Sequence, residues 1–300
     1  MSAPTLAEPP VAAAKPPRPP RNRLRRGLSL LVLRDYLTLL VAVLVVLLPL
    51  VYLGFSSFKS PSDLASHQFT LFPDRWGTDN YTKALNELPF GRFFLNSTIV
   101  TVVGAGLKVV LAVMTAYGLV FCEFPGKKLI FWAILATLMV PPQVTVLPNY
   151  VLISGMGGSD TYWGLILPGL GTGFGTFLLR QAFMQLPLEV LEAAELDGAG
   201  HWRRLWHHVI PMAAPSIATV ALVNVVYEWN DYLWPLVITN DPNMMTLARG
   251  ITLLRNSDNL AATVGPIMAG TVMVLVPVLL VFAVLQRHIV NGFTQGGVKG

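Results

Sequence analysis

Leu191-Glu-Ala-Ala-Glu-Leu-Asp-Gly-Ala-Gly-His-Trp-Arg-Arg-Leu-Trp-His-His-Val-Ile-Pro211, running on to Pro215, is a polar connector between two long apolar runs. It holds Glu192, Glu195, Asp197, Arg203, Arg204 and three of the five histidines. The flanking runs, residues 162–183 and 217–238, each rise by roughly 30 Å as ideal helices, the thickness of a hydrocarbon core. The whole chain follows the same pattern. It is 53% hydrophobic and 12% charged, against about 25% charged in soluble domains, with a mean hydropathy of +0.58. Helices satisfy their own backbone groups in lipid. The expected fold is therefore an all-α polytopic membrane protein in which this connector touches something in water.

Working outward, six spans are predicted at 36–55, 94–121, 129–153, 162–183, 217–238 and 265–286. Residues 1–35 are Pro/Ala-rich and then Arg-rich, and are expected to be a disordered basic tail. The uncharged run from Tyr36 is long for a signal peptide and has a poor cleavage signal, so it is expected to be an uncleaved first span. The third span contains Pro141-Pro142 and Pro148. Residues 129–140 alone would rise only about 18 Å, so a broken helix continuing to about Ile153 is predicted. Such a break is tolerated only where protein or a water-filled cavity satisfies the freed backbone groups. Gly169, Gly171, Gly173 and Gly175 in the fourth span are read as small residues that let helices approach. No strand precedes them, and Phe174 and Thr176 break the dinucleotide fingerprint.

Basic residues set the orientation. With both termini inside, the inner segments carry 14 Lys and Arg and the outer segments 6, Lys108 lying within span two. This positive-inside pattern makes the 191–215 connector and both termini cytoplasmic. It also accounts for the net charge of +5 without nucleic acid. Cys122 is the single cysteine, which excludes an intrachain disulfide.

Residues 188–196 are good helix formers, and Gly198 suits the residue just past a helix C-terminus. A short helix along the membrane surface is predicted. Ala193 and Ala194 would give it a low-relief face, and Glu192 and Asp197 would offer carboxylates to a partner. His201, His207 and His208 have no accompanying Cys or carboxylate spacing, so no metal is assigned. Lys108, Glu228 and Asp231 are the intramembrane charges, which usually face a cavity or pair with one another. Lys108 is expected to have a carboxylate or carbonyl partner. Glu228 lies about 20 Å along an ideal helix from Pro215. Glu228, Trp229, Asn230 and Asp231 are candidates for a pathway or its outer gate, or for contacts to a second subunit.

Glu192-Ala193-Ala194, then Gly198, then His208-Val209-Ile210-Pro211 resembles the EAA loop of ABC importer permease subunits. Glu192, Ala193, Ala194, Asp197, Gly198 and Pro211 match the pattern, whereas His208 stands where an aliphatic residue is usual. Asn80-Tyr81, Asn96-Ser97, Trp229-Asn230-Asp231-Tyr232 with Trp234-Pro235, and the ending Val290-Asn291-Gly292 through Gly300 resemble the carbohydrate-uptake branch. The ending is similar to that of the MalG-type subunit of maltose importers. In all, residues 36–300 are covered.

The resemblance implies an ABC transporter transmembrane domain in a bacterial-type inner membrane. Its implied partners are a second permease subunit in a heterodimer, a cytoplasmic ATPase dimer and an extracytoplasmic substrate-binding protein. The EAA helix would dock on the ATPase, with Glu192 meeting it by charge and Gly198 permitting the turn. Gly296, Gly297, Val298, Lys299 and Gly300 would reach the ATPase dimer interface. The chain has no phosphate-binding loop of its own, so it is expected neither to hydrolyse ATP nor to hold a cofactor. Carbohydrate is the expected substrate, with glycerol 3-phosphate or glycerophosphodiesters as the alternative within the same machinery. An ion-coupled secondary transporter using Lys108, Glu228 or Asp231 would leave the docking loop without a role. A membrane enzyme would need a catalytic grouping that the sequence does not display.

Overall fold

The computed structural model describes residues 23–66, 69–254 and 260–296. It is helical, with no strand among the described residues. The chain divides after Tyr52 into two units. The first holds most of helix α1 (Arg23–Ser56), whose stretch Val32–Ser56 contains 18 residues with a mean hydropathy of 2.7. Its Leu and Val residues fall on every side of the helix rather than along one stripe, as suits apolar surroundings. α1 begins at Arg23, within the stretch expected to be a basic tail. Leu24, Arg25, Arg26 and Leu28 favour helix, and elongating an existing helix needs no new nucleus. Residues 1–22 lie outside the described residues.

The second unit is organised on α2 (Phe90–Phe121). After it come α3 (Lys127–Thr137), α4 (Pro142–Gly155), and α5 (Tyr162–Ile166) with a 3-10 turn at Leu167–Leu170. Then follow α6 (Gly173–Phe183), α7 (Leu188–Leu196), α8 (His201–Met212), α9 (Ala214–Asn230), α10 (Leu233–Ile238) and α11 (Leu260–Gly296). On α2 the buried residues Ser97, Val100, Gly104, Lys108, Ala112 and Ala116 recur every three or four positions, forming one stripe. The stripe is mostly small, so α6 and α9 pack closely against it.

Three helices are by themselves long and apolar enough to cross a membrane: Val32–Ser56, Phe90–Phe121 and Thr263–Val284. Three further helix pairs pass only when joined across a bend, of 97° between α3 and α4, 49° at α5–α6 and 81° between α8 and α9–α10. The described residues therefore contain three to six candidate spans. The first bend falls at the expected prolines. Pro142 holds the preceding Pro141 in an extended conformation (φ −62°, ψ 131°), because its ring disfavours helix at that position. The near right angle turns α4 across the direction of α3.

The second bend divides the glycine-rich stretch. Gly171 faces open space, which corrects its reading as a packing residue. Gly173 and Gly175 do pack: added Cβ atoms would lie 3.0 Å from Leu138 and 3.1 Å from Val220 respectively. A further break, at Asp231-Tyr232 between α9 and α10, interrupts the fifth predicted span.

On the side opposite α7, Asn96 joins three segments. Its Nδ2 donates to the carbonyls of Asn243 (2.8 Å) and Met245 (2.9 Å), and its Oδ1 accepts from Tyr162 Oη (2.8 Å). Asn96→Ala should strand these groups at about 1–3 kcal/mol for each one left unsatisfied. The expected result is a lower thermal midpoint of the detergent-purified protein, and an unchanged midpoint would show that the network contributes nothing.

Candidate functional site

A cavity of about 630 Å³ opens beside α2, within the range of roughly 300–1,000 Å³ typical of small-molecule sites. The crosswise helix α4 supplies one wall, with Gln143, Thr145 and Asn149. The turn after α5 supplies Pro168 and Gly169, and the α9–α10 break supplies Tyr227, Glu228, Asn230, Asp231 and Trp234. Both helix breaks thus border one cavity, the setting in which broken membrane helices are tolerated.

Lys108 and Glu228 form a salt bridge at this cavity, their side chains only 7% and 8% exposed. This is the carboxylate partner expected for Lys108. Glycines make the room for it. A Cβ on Gly104 would stand 3.1 Å from Glu228 Oε2, and one on Gly169 would stand 3.3 Å from Lys108 Nζ. The Lys108 ammonium also lies 5.2 Å from the centre of the Tyr227 ring. Asp231 begins the break with extended backbone (φ −65°, ψ 118°), and its Oδ1 accepts from the Trp234 amide at 3.5 Å. Among the described residues lining the cavity, Lys108 is the sole cation, and Glu228 balances it.

Of the four candidate gate residues, Glu228, Asn230 and Asp231 line the cavity. Trp229 does not. It is buried against α11, donates from Nε1 to the Val274 carbonyl (3.0 Å) and meets Phe94 edge-on. It is therefore set apart from the cavity residues Glu228 and Asn230 that flank it in sequence. Gln143, Thr145 and Asn149 were not singled out in the sequence. The only signal for them was their position just after the Pro141-Pro142 break.

The 191–215 connector folds as expected at its start. α7 spans Leu188–Leu196, and Gly198 follows with φ +79°. The amides of Gly198 and Ala199 donate to the carbonyls of Glu195 and Ala194, both at 2.9 Å, the paired closure of a Schellman motif. Glu192, Ala193 and Asp197 are exposed, whereas Ala194 is buried. The low-relief face is thus Ala193 above a floor containing Ala194. Those two alanines with Glu189, Asp197, Arg203 and His208 line a groove of about 570 Å³ between α7 and α8. His208, the position that departs from the EAA pattern, therefore borders the EAA residues in space. Pro211 lies in the last turn of α8.

This connector is tied to the spans. Leu191, Leu205 and Val209 join a buried cluster with Ala112, Val113 and Ala116 of α2 and Leu179 and Phe183 of α6. Arg204 forms a salt bridge with Glu195. Its Nη2 lies 2.9 Å from His201 Nδ1, and Tyr117 Oη of α2 lies 3.2 Å from the same nitrogen. Displacing α7 therefore means displacing α2. At the chain's end Gly296 closes α11, and Gly297, Val298, Lys299 and Gly300 lie outside the described residues.

Comparison with known proteins joins these features. The family described as "Binding-protein-dependent transport system inner membrane component" matches residues 108–295. The diacetylchitobiose uptake system permease protein of Streptomyces coelicolor is 37% identical over 254 residues, 84% of each chain. The sn-glycerol-3-phosphate transport system permease protein of Pectobacterium atrosepticum is 35% identical over 283 residues, 90% of this chain and 98% of that one. A chain of a bacterial ABC transporter involved in the import of the acidic polysaccharide alginate has the same fold. It gives a TM-score of 0.75 at 24% identity, covering 90% of this chain and 99% of that one.

Proposed function

The chain belongs to the family of binding-protein-dependent transport system inner membrane components, and from that membership we propose that it carries an uncharged oligosaccharide through the cavity beside α2. It is a multi-pass permease subunit of an ABC importer, and ATP hydrolysis belongs to a different subunit. In the proposed arrangement it crosses the inner membrane six times with both ends in the cytoplasm, each bent pair counting as one span. Residues 36–300 form the transmembrane domain. A second permease subunit completes the pathway, and a binding protein delivers substrate from outside. α7 docks on an ATPase dimer, with Glu192, Ala193, Asp197 and Gly198 at the contact, Ala194 and Pro211 supporting it, and the 296–300 tail reaching the dimer interface.

The observation that carries the substrate assignment is the balance of charge in the cavity. Among the described residues its one cation is held by Glu228, and the remaining charged group is the Asp231 carboxyl. Amides, hydroxyls and aromatic faces make up the rest of its polar lining. A phosphate monoester would find no free cation there, and desolvating an anion without a partner is expensive. The hydroxyls of a sugar would find donors and acceptors. The relatives divide along the same line, one named for diacetylchitobiose and others for sn-glycerol 3-phosphate.

The test is ATP-driven uptake by the reconstituted transporter with its binding protein, offering diacetylchitobiose, maltotriose and sn-glycerol 3-phosphate in parallel. Accumulation of a neutral sugar with no accumulation of the phosphate is expected. Uptake of sn-glycerol 3-phosphate alone would overturn the assignment.

A further inference from the structure

α8 is joined to α7 by a tight turn, yet it presents a different kind of surface. Leu205 and Val209 face inward and are buried. On the outside, Trp202 and Trp206 are 63% and 49% exposed and meet edge to face at 5.7 Å. Exposed Arg203 and His207 follow each of them in sequence. Neither tryptophan lines the groove shared with α7, whereas Arg203 does.

Two observations fix where this surface sits. First, α8 meets the α9–α10 span at 81°, so a span running along the membrane normal leaves α8 nearly parallel to the bilayer plane. Second, the Tyr117–His201 contact fixes its depth. Tyr117 is four residues from the end of α2 at Phe121, about 6 Å along the helix axis. α8 is thereby level with the end of the apolar span, where hydrocarbon gives way to headgroups. Tryptophan is enriched at that level, because its ring is apolar while its indole N–H needs a polar partner.

We propose that Trp202 and Trp206 insert into the inner-leaflet interface, anchoring α8 to anionic phospholipid beside the exposed Arg203. The charges favour lipid as the occupant. Arg203 is exposed and basic, whereas Arg204, one residue on, is occupied by Glu195. An interfacial segment with aromatic and basic residues on its outer side binds anionic membranes by both apolar burial and charge. The anchor holds α8 at fixed depth, and with it the buried cluster that α8 shares with α7 and α2. The proposal rests on the cytoplasmic placement of the connector, and the experiment reads that placement separately.

The assembled transporter is reconstituted in bilayers of phosphatidylethanolamine and phosphatidylglycerol, with acyl chains brominated either near the headgroup or near the chain terminus. Wild type is compared with Trp202→Phe/Trp206→Phe, which keeps aromatic bulk. The emission lost in the variant should be the part quenched strongly by shallow bromines and weakly by deep ones. Loss of emission that neither lipid quenches would overturn the proposal, as would loss of the ATPase from the purified variant, which would assign this face to a protein contact. A nitroxide at Trp206→Cys in a Cys122→Ser background gives an independent depth, and a value in bulk water would also overturn the anchor. Reaction of the same cysteine with an impermeant maleimide from outside the cell would instead overturn the orientation.

Discussion

Lys108→Met is expected to destabilise the protein by about 3–5 kcal/mol, because it leaves the Glu228 carboxylate buried without its counter-charge. The side chain of Glu228 is 8% exposed, and a Cβ on Gly104 would stand 3.1 Å from its Oε2. Glu228→Met should do similar damage by stranding Lys108. The double variant Lys108→Met/Glu228→Met is expected to recover much of the loss, since a buried pair replaced by apolar groups of similar size is often neutral or better. Thermal unfolding of the purified transporter checks all three. A loss in the double variant equal to the sum of the two single losses would show that the pair is not coupled. Transport separates structure from pathway. If the double variant is stable but moves substrate slowly, the charges themselves serve the cavity.

Charge reversal at the docking helix should have the second large effect, on transport rather than folding. Glu192→Lys is expected to leave the protein inserted and stable, because the side chain is exposed. Removing one partner of a buried charged contact typically weakens an interface by 2–5 kcal/mol, more than about tenfold in affinity. Uptake and co-purification of the ATPase should fall together by at least that factor. Gly198→Asp acts on shape instead. At φ +79° a side chain is strained, though Asp is among the residues that tolerate this region best. The added carboxylate would also stand beside Asp197. ATP hydrolysis uncoupled from uptake is the expected signature, and normal coupled uptake in both variants would defeat the docking assignment.

The parts that sequence reading anticipated were those governed by neighbours in the chain. Pro141-Pro142 broke the third span because a proline restricts the residue before it. α7 ended at Leu196 because Gly198 accepts the left-handed turn. In both places the cause lies within two or three residues of the effect. The parts it missed depend on distant residues. Glu228 is 120 positions from Lys108, and no local pattern names one carboxylate over another. Trp229 adjoins two cavity residues in sequence, but its side chain points to α11. Gln143, Thr145 and Asn149 became wall residues only when α4 turned by 97°, an angle that the prolines permit and packing selects. Likewise Gly171 fits the same spacing as its neighbours, and a bend leaves it facing space.

The Lys108–Glu228 pair also constrains the order of synthesis. Lys108 emerges from the ribosome 120 residues before the carboxylate that neutralises it. At roughly 5–20 residues per second, that interval lasts about 6–24 s. During this time α2 must reside in or beside the insertion machinery with its lysine waiting. A central lysine disfavours insertion by about 2.5–3.5 kcal/mol. The helix meets this with its own composition, an 18-residue stretch around the lysine keeping a mean hydropathy of 2.1. The apolar excess of α2 therefore belongs to the protein's biogenesis as much as to its finished packing, and truncated chains that stop before Glu228 are the form in which that excess would be felt.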